Sequence, residues 1–412
     1  MKETSFLAKL LDGEKVEWKS LGEVGEIYGG LTGKSKSDFD GGNAKYITYK
    51  NIFGNLVVNT DLFQSVKISN SENQHLVKFG DVLFTGSSET ADEAGMSSVV
   101  MSHFNYPVYL NSFSFGFRFR NDISITPGFS KYLFRSNFIR TEISKTASGV
   151  TRFNISKERF RKLQIPIPCP DNPKKSLEIQ AEIVRILDNF TTLTAELTAE
   201  LTARKKQYAY YREQLLTFAE GEVEWKALGE VLIRSKGTQI TAGKMRQLHK
   251  DGAPIKIFAG GRTIAFVNFD DIPAKDINNK PSIIVKSRGI IAFEYYEKPF
   301  SHKNEMWSYY SDNKNIDIKF VYYFLKLNEQ HFQNIGSKMQ MPQIATPDTD
   351  KFKIPIPPLS AQERIVNILD KFDALTNSIT EGLPREIELR QQQYEYYRNL
   401  LLNFPKNEGV TK

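Results

Sequence analysis

The stretch GGLTGKSKSDFDG, Gly29 to Gly41, places a Gly-Lys-Ser triplet in a glycine-rich run behind a short apolar segment. The chemistry of such a run would be phosphate binding, with backbone N–H groups curled around the anion and the lysine neutralising it. The nucleoside-triphosphate version needs a glycine five places before the Gly-Lys pair. Tyr28 stands there, and no acidic motif after a hydrophobic strand offers to hold magnesium. Lys34, Ser35 and Lys36 are read instead as candidate contacts to a phosphate backbone, where glycine allows close approach. The plain alternative is an exposed turn.

Other catalytic constellations are missing from the sequence. The only Pro-Pro follows an isoleucine, which excludes the Asn/Asp-Pro-Pro-aromatic motif of amino-methyltransferases. Pro347-Asp348 is followed by no Asp/Glu-x-Lys triplet of a metal nuclease, and there is no Gly-x-Ser-x-Gly. His75, His103, His249, His302 and His331 are scattered, with no metal-ligand pair at helical spacing. Cys169 is the single cysteine, so an internal disulfide and a cysteine metal cluster are excluded and a reducing cytosol is expected. No run approaches the roughly 18 apolar residues of a membrane span. A soluble, cytoplasmic chain without catalytic residues and without a bound metal or cofactor of its own is expected.

The elements that must position these side chains are duplicated. EWKSLGEV at 17–24 returns as EWKALGEV at 224–231, a match at seven of eight positions. IPIP at 165–168 returns at 354–357, IVRILDNF at 183–190 returns as IVNILDKF at 365–372, and QYAYYREQLLTF at 207–218 returns as QYEYYRNLLLNF at 393–404. With 412 residues the chain is too long for one ordinary core. The order predicts four regions: a first arm over 1–165, a central helical region over 166–218, a second arm over 219–355 and a C-terminal helical region over 356–412, with IPIP as a hinge. The arms, about 22–164 and 229–353, show little mutual resemblance. Runs such as YITYKNI, GDVLFTG, NSFSFGFRF, PIKIFAGG and PSIIVKSRGIIAF read as strands between turns, with helices near 127–140 and 320–328. Two small α/β arms are expected.

From Ser176 to Phe218 apolar residues recur at three- and four-residue steps, the seam of one long amphipathic helix. A helix that long wants a partner, and the second copy from Ser360 to Phe404 is the obvious one, kinked or interrupted by Pro384. Ile183, Phe190, Leu197, Leu201, Tyr208, Tyr211, Ile365, Phe372, Tyr394 and Tyr397 are expected to pack this antiparallel, coiled-coil pair. The N-terminal segment 6–24 parallels 211–231, so the chain begins with the end of a helix repeat. The chain closes where a further arm would begin, which predicts a cyclic arrangement with neighbouring ends and an approximate two-fold axis.

Charge divides the chain in the same way. Residues 1–165 carry 21 Lys+Arg against 17 Asp+Glu and residues 219–355 carry 20 against 16, while the helical regions carry 7 against 7 and 7 against 8. The net +7 therefore resides in the arms, the electrostatic footprint of a nucleic-acid binder. It concentrates at 118–162, with Arg118, Arg120, Lys145 and Arg152, and at 226–262, with Lys236, Lys244, Arg246 and Arg262. Any one of these side chains, taken singly, reads as ordinary solvated surface.

The combination of two dissimilar arms, each closed by IPIP and a helix of the Ala-Glu-Ile-Val-Arg-Ile-Leu-Asp kind, resembles the specificity subunit of type I restriction-modification enzymes. The Thr-Ala-Glu-Leu units at 194–197 and 198–201, with the QYxYYR segments, resemble the subgroup carrying such repeats in its central helix. The resemblance covers the repeated regions closely and the arms only by position. It implies that each arm is a target recognition domain reading one half of a split double-stranded DNA sequence. It further implies that the paired helices set the separation of the arms and bind two methylation subunits that use S-adenosylmethionine, and that restriction subunits hydrolysing ATP, with Mg, join them.

Two segments stand in matching places before IPIP, 145–160 and 336–352. Their Arg152, Asn154, Lys338, Gln340 and Gln343 are candidates for base edges or phosphates, since Arg suits guanine and Asn or Gln suits adenine. A loop that merely returns the chain to the helix is the alternative. The competing functions are a protein-binding coiled-coil scaffold and an RNA-binding adaptor. Basic arms argue against the first and the lack of an aromatic RNP-type motif against the second.

Overall fold

Each repeated octapeptide pairs with the IPIP segment that follows it. In this computed structural model, which describes residues 6–337 and 340–406, Val16–Ser20 runs antiparallel to Gln164–Pro168 with Trp18 opposite Pro166. Glu224–Ala227 runs antiparallel to Lys353–Ile356 with Trp225 opposite Pro355. Entry and exit of each arm are thus one ribbon, and the expected IPIP hinge is a strand. Both ribbons are two-stranded. The Cys169 N–H bonds the Lys15 carbonyl at 2.9 Å, so the nitrogens of Pro166 and Pro168 fall on the alternate, outward-facing positions of the first ribbon, where a proline costs no ladder bond.

The arms share a chain path that their sequences hide. The first arm has a four-stranded antiparallel sheet in the order Gly25–Gly29, Ser114–Phe119, Val82–Thr85, Ser97–Val99. The second has Ile233–Ser235, Trp307–Tyr310, Ser282–Lys286, Ala292–Tyr296 in the same order. A three-stranded sheet accompanies each, and in both its central strand takes one parallel partner: Ala44–Ile47 with Val108–Leu110, and Ile255–Phe258 with Phe300–His302. YITYKNI departs from its expected strand after Ile47, because Thr48 caps a helix over Tyr49–Gly54. The helices expected near 127–140 and 320–328 are Pro127–Leu133 with Asn137–Ser144, and Ile318–Leu327. Thr126 and Asp317 cap them with side-chain oxygens.

The central helix is continuous over Pro173–Leu216, whereas its second copy is divided into Leu359–Asn377 and Gly382–Leu401. The interruption lies ahead of Pro384. The proline itself sits in the first turn of the resumed helix, where its missing N–H has no intrahelical acceptor to lose. Phe190 stacks on Tyr397 and Tyr211 on Phe372, so in each place one end of one copy packs against the opposite end of the other.

The chain divides into two compact units, residues 1–196 with 387–412 and residues 197–386. Each unit holds one arm, the start of one helical copy and the end of the other. In the first, Gln180 takes the Thr126 N–H at 2.8 Å, and Asp188 takes the Tyr132 hydroxyl at 2.5 Å and Lys131 at 2.6 Å. In the second, Gln362 takes the Asp317 N–H at 2.9 Å, and Asp370 takes the Tyr323 hydroxyl at 2.5 Å and Lys319 at 2.7 Å. The repeated Gln and Asp therefore bind each copy's own arm. Burial and the adjoining carboxylate raise both tyrosines' pKa, so the hydroxyls stay protonated donors. The ends of the copies pack in the same way, Phe404 on Phe129 at 6.0 Å and Phe218 on Phe320 at 6.3 Å. Trp18 donates its indole N–H to the Pro405 carbonyl at 2.9 Å, so the chain's beginning and end do meet in the first unit.

Candidate nucleic-acid interface

The glycine-rich opening loop has a local structural cause. Leu31 donates its N–H to the Leu110 carbonyl at 2.7 Å, and Thr238 of the second arm donates to the His302 carbonyl at 2.8 Å. These are matching crossings over the end of the parallel strand. A Cβ on Gly30 would lie 1.9 Å from the Asn111 carbonyl oxygen, and one on Gly237 2.1 Å from that of His302. Only glycine allows these approaches.

Within the loop, the Lys34 side chain is only 7% exposed and is held by the Glu72 carboxylate at 2.5 Å and the Lys67 carbonyl at 2.7 Å. The Lys34 ammonium draws the Glu72 pKa down to about 2. Ser35 caps the turn Lys36–Phe39, with its N–H and hydroxyl on Asp38 at 2.8 and 2.7 Å. Of the two lysines, only Lys36 is exposed without an ion pair. The expected phosphate cradle is thus internally satisfied.

Arg118 is likewise committed. Its Nε and Nη2 fork onto Asp81 at 2.7 Å each, and Asp81, fully buried, also accepts the Tyr28 hydroxyl at 2.6 Å. Burial, then the Asp81 charge, pushes the Tyr28 pKa well up. Arg118 therefore has a structural task beside any at the surface: a buried carboxylate requires a partner, and Arg118, its side chain 37% exposed, supplies one. Lys145 pairs with Glu142 at 2.6 Å across one helical turn. Arg120 is exposed near the arm's base, within 3.5 Å of the Gly22 carbonyl.

The two segments before the necks do meet matching surfaces. In the first arm Phe153–Ile155 pairs with Ala147–Ser148 on one side and with Ser87–Ser88 on the other. A hairpin results, with Val150 at its tip 92% exposed. The Arg152 Nε donates to the Ser87 hydroxyl at 3.0 Å, and its guanidinium lies 5.5 Å from the exposed Phe113 ring. With Tyr49, Phe53, Glu89, Glu93 and Thr151 these residues line a cleft of about 570 Å³. Asn154 is exposed beside it.

In the second arm Gln343 bridges Arg288, on the turn after the corresponding strand Ser282–Lys286. Ile344 donates to the Ser287 carbonyl at 3.0 Å, as Ile155 donates to that of Gly86 at 2.9 Å. Here the cleft, about 340 Å³, is lined by Ile290, Gln330, Gln333, Asn334 and Pro342 among others. Gln340 is exposed, and Lys338 lies outside the described residues. Lys236, Lys244, Arg246 and Arg262 are all exposed elsewhere on this arm, Lys244 and Arg246 on the helix Ala242–Leu248. They do not line this cleft.

Sequence reasoning missed Glu89, Glu93 and Phe113 in the first cleft and Gln330, Gln333 and Asn334 in the second. The only available signal was a polar turn directly after a core strand, TGSSET and VKSRG. Of the expected packing residues, Ile183 and Ile365 are buried. Phe190 stacks on Tyr397 at 5.2 Å, Tyr208 and Tyr211 on Phe372 at 5.8 and 5.7 Å, and Tyr394 meets Tyr132 at 6.4 Å. Leu197 and Leu201 are half-buried. Among the described residues no cluster of His, Cys, Asp or Glu is arranged to hold a metal, and no helix is long and apolar enough to cross a membrane.

Residues 13–204 and 221–389 match the family described as Type I restriction modification DNA specificity domain. The chain is 37% identical to the Type I restriction enzyme EcoR124I/EcoR124II specificity subunit of Escherichia coli, over the whole of both chains. It is 32% identical to the EcoprrI specificity subunit of Escherichia coli, covering 92% of this chain and 93% of that one. Its fold is similar to the crystal structure of a type I restriction-modification S subunit from M. genitalium, with a TM-score of 0.57 at 16% identity over 96% of this chain and 98% of that one.

Proposed function

Because this chain belongs to the type I restriction-modification DNA specificity family, we propose that it is the sequence-reading subunit of such an enzyme, each arm contacting one half of a split double-stranded DNA target. The observation that carries this reading is one arm architecture used twice with different surfaces. The neck ribbons, the Gln and Asp anchors and the Gly30 and Gly237 crossings coincide, while the clefts present Arg152 with two glutamates in one arm and a set of amides in the other. Arg and carboxylate suit the edges of a G·C pair, and Gln and Asn suit adenine.

The other basic residues left exposed, among them Lys36, Arg120, Lys236, Lys244, Arg246 and Arg262, supply phosphate attraction. The helices act as the spacer and carry two methylation subunits, with restriction subunits joining that complex in the cytoplasm. S-adenosylmethionine, ATP and Mg serve those partners, and this chain neither transfers methyl groups nor cuts DNA. Inserting a third Thr-Ala-Glu-Leu unit after Leu201 adds about 6 Å and some 40° of helix. It lengthens the unread gap by roughly one or two base pairs of about 3.4 Å and 34° each. Binding of duplex DNA with the methylation subunit present tests the reading. Sequence-selective binding supports it, whereas preference for RNA or indifference to duplex sequence overturns it.

A further inference from the structure

Two arginines in the most basic stretch of the first arm, 118–162, are turned onto backbone carbonyls. Arg135 donates from Nε to the Ser97 carbonyl at 2.7 Å and from Nη2 to those of Ile52 and Phe53 at 3.1 and 3.0 Å. Arg140 donates from Nη1 to the Gly95 carbonyl at 2.5 Å and from Nη2 to those of Asp92 and Ala94 at 2.6 and 2.7 Å. Both side chains are half-buried, and burial pulls each guanidinium's pKa down to about 10, which leaves it charged at neutral pH. Their donors are spent on the fold and are not offered to a phosphate backbone.

The carbonyls they hold belong to two segments that line the first cleft. Ile52 and Phe53 close the helix Tyr49–Gly54, where carbonyls have no intrahelical partner. That helix brings Tyr49 and Phe53, stacked at 5.9 Å, to the cleft. The turn Asp92 to Gly95 brings Glu93. Gly95 is seated on the helix that carries Arg140, since a Cβ there would lie 2.5 Å from Ile143. Both segments converge on the short strand Ser87–Ser88: the Tyr49 hydroxyl donates to the Ser87 carbonyl at 2.8 Å, and the Ser88 hydroxyl donates to Glu93 at 3.2 Å. Arg152 grips the same strand through the Ser87 hydroxyl.

The helices behind this grip are themselves fixed. Pro127–Leu133, with its cap Thr126, is bound to Gln180 and Asp188 of the central helix, and Asn137 accepts from Arg398 at 3.0 Å. The second arm repeats the arrangement with an amide: Gln333, on Glu329–Gly336, donates to the Ile291 carbonyl at 3.1 Å beside its own cleft. We propose that Arg135 and Arg140 are positioning residues for sequence reading: without touching DNA, they hold the aromatic and acidic lining of the first cleft in register with Arg152 and so set how sharply this arm discriminates its base pair.

The proposal rests on the first arm reading DNA. The full chain with the methylation subunit is measured against a panel of single-base variants of its target, using Arg135→Lys and Arg140→Lys, which keep the charge and lose the fork. Discrimination at the position read through Arg152 is expected to fall roughly tenfold. Discrimination in the other half-site and the salt dependence of binding should stay as they are, because no phosphate contact is lost. In an Arg152→Ala background, Arg140→Lys should add nothing at that position, since both act through one cleft. Tyr49→Phe removes only the hydroxyl link to Ser87 and should relax the same position to a smaller extent, which keeps the assignment testable where an arginine variant unfolds the arm. Unchanged discrimination in folded variants, or a uniform loss with a shallower salt dependence, overturns it. Hydrogen exchange without DNA reads the hold directly: residues 49–54 and 87–95 should exchange roughly tenfold faster in the lysine variants, with the rest of the arm unchanged. Unselective DNA binding by the unaltered chain would sink the reading of the arm, whereas unchanged exchange in the variants would sink the positioning role.

Discussion

The first arm fastens its sheet with a buried ion pair where the second uses aromatic and hydroxyl contacts. Asp81, Arg118 and Tyr28 tie three strands or their ends together in the first. In the second, Trp307 and Tyr309 reach Thr349 at 3.1 and 2.7 Å, and Arg234 and Asp350 close the edge. The parallel strand ends on Leu110 in one arm and on His302 in the other, both buried. One chain path is therefore compatible with different interior chemistry, provided the neck and the helix anchors are kept. What the path fixes is the position of the turn after the second core strand, and what the sequence varies is the side chains displayed there.

Exchanging residues 229–353 for the arm of a relative is the largest expected change. It should replace one half of the recognised sequence entirely and leave the other untouched, as read by methylome sequencing. Alteration of both halves would break the equivalence of the necks. Next in size, Arg118→Ala strands a buried carboxylate and should destabilise the first arm by about 3 kcal/mol, the low end for a broken buried pair because the guanidinium's outer edge is solvated. Hydrogen exchange resolved by segment should show the loss in residues 25–119, with the second arm unchanged.

Arg152→Ala removes the cation of the first cleft. It should weaken target binding roughly tenfold to hundredfold, with relaxed discrimination at one position of one half-site, measured by binding to a panel of single-base variants. A uniform loss across all sequences would instead make Arg152 a phosphate contact.

The smallest effect sharpens the contrast between Leu110 and His302. Burial lowers the His302 pKa below its usual 6.5 and favours the neutral ring, which lies 3.1 Å from the Lys303 carbonyl and 3.2 Å from the Ser308 hydroxyl. The unfolded chain takes up the proton first, so this contribution to stability is present above pH 6.5 and is lost as the pH falls below it. Thermal unfolding at pH 7.5 and 5.5 should show the second arm softening, and His302→Leu, which copies the first arm's residue, should remove that dependence.

The repeats, the helical seam and the placing of charge in the arms were legible because each depends on residues near one another in sequence. The seam from Ile183 reads directly as a helix, which ends at Leu216 rather than Phe218, and Pro384 announced an interruption although the break falls at Ser378 to Glu381. The candidate interface was legible only in part. The segments before IPIP were located, but the glutamates and amides that share their clefts lie about 60 residues upstream for Glu89 and Glu93, where no local pattern links them to Arg152.

The sequence by itself determined that the chain is a duplication and where its long helices lie, because repetition and periodicity are properties of local order. Only the tertiary structure decided that EWK pairs with IPIP, that the dissimilar arms share one topology, and which basic side chains are free. Strand pairing joins residues more than a hundred positions apart, and its specificity comes from buried faces that many side-chain sets can fill. Whether a lysine or arginine faces solvent or a carboxylate depends on such pairings: Lys34 and Arg118 look like Lys36 and Arg152 along the chain, and they differ only because Glu72 and Asp81 fold against them.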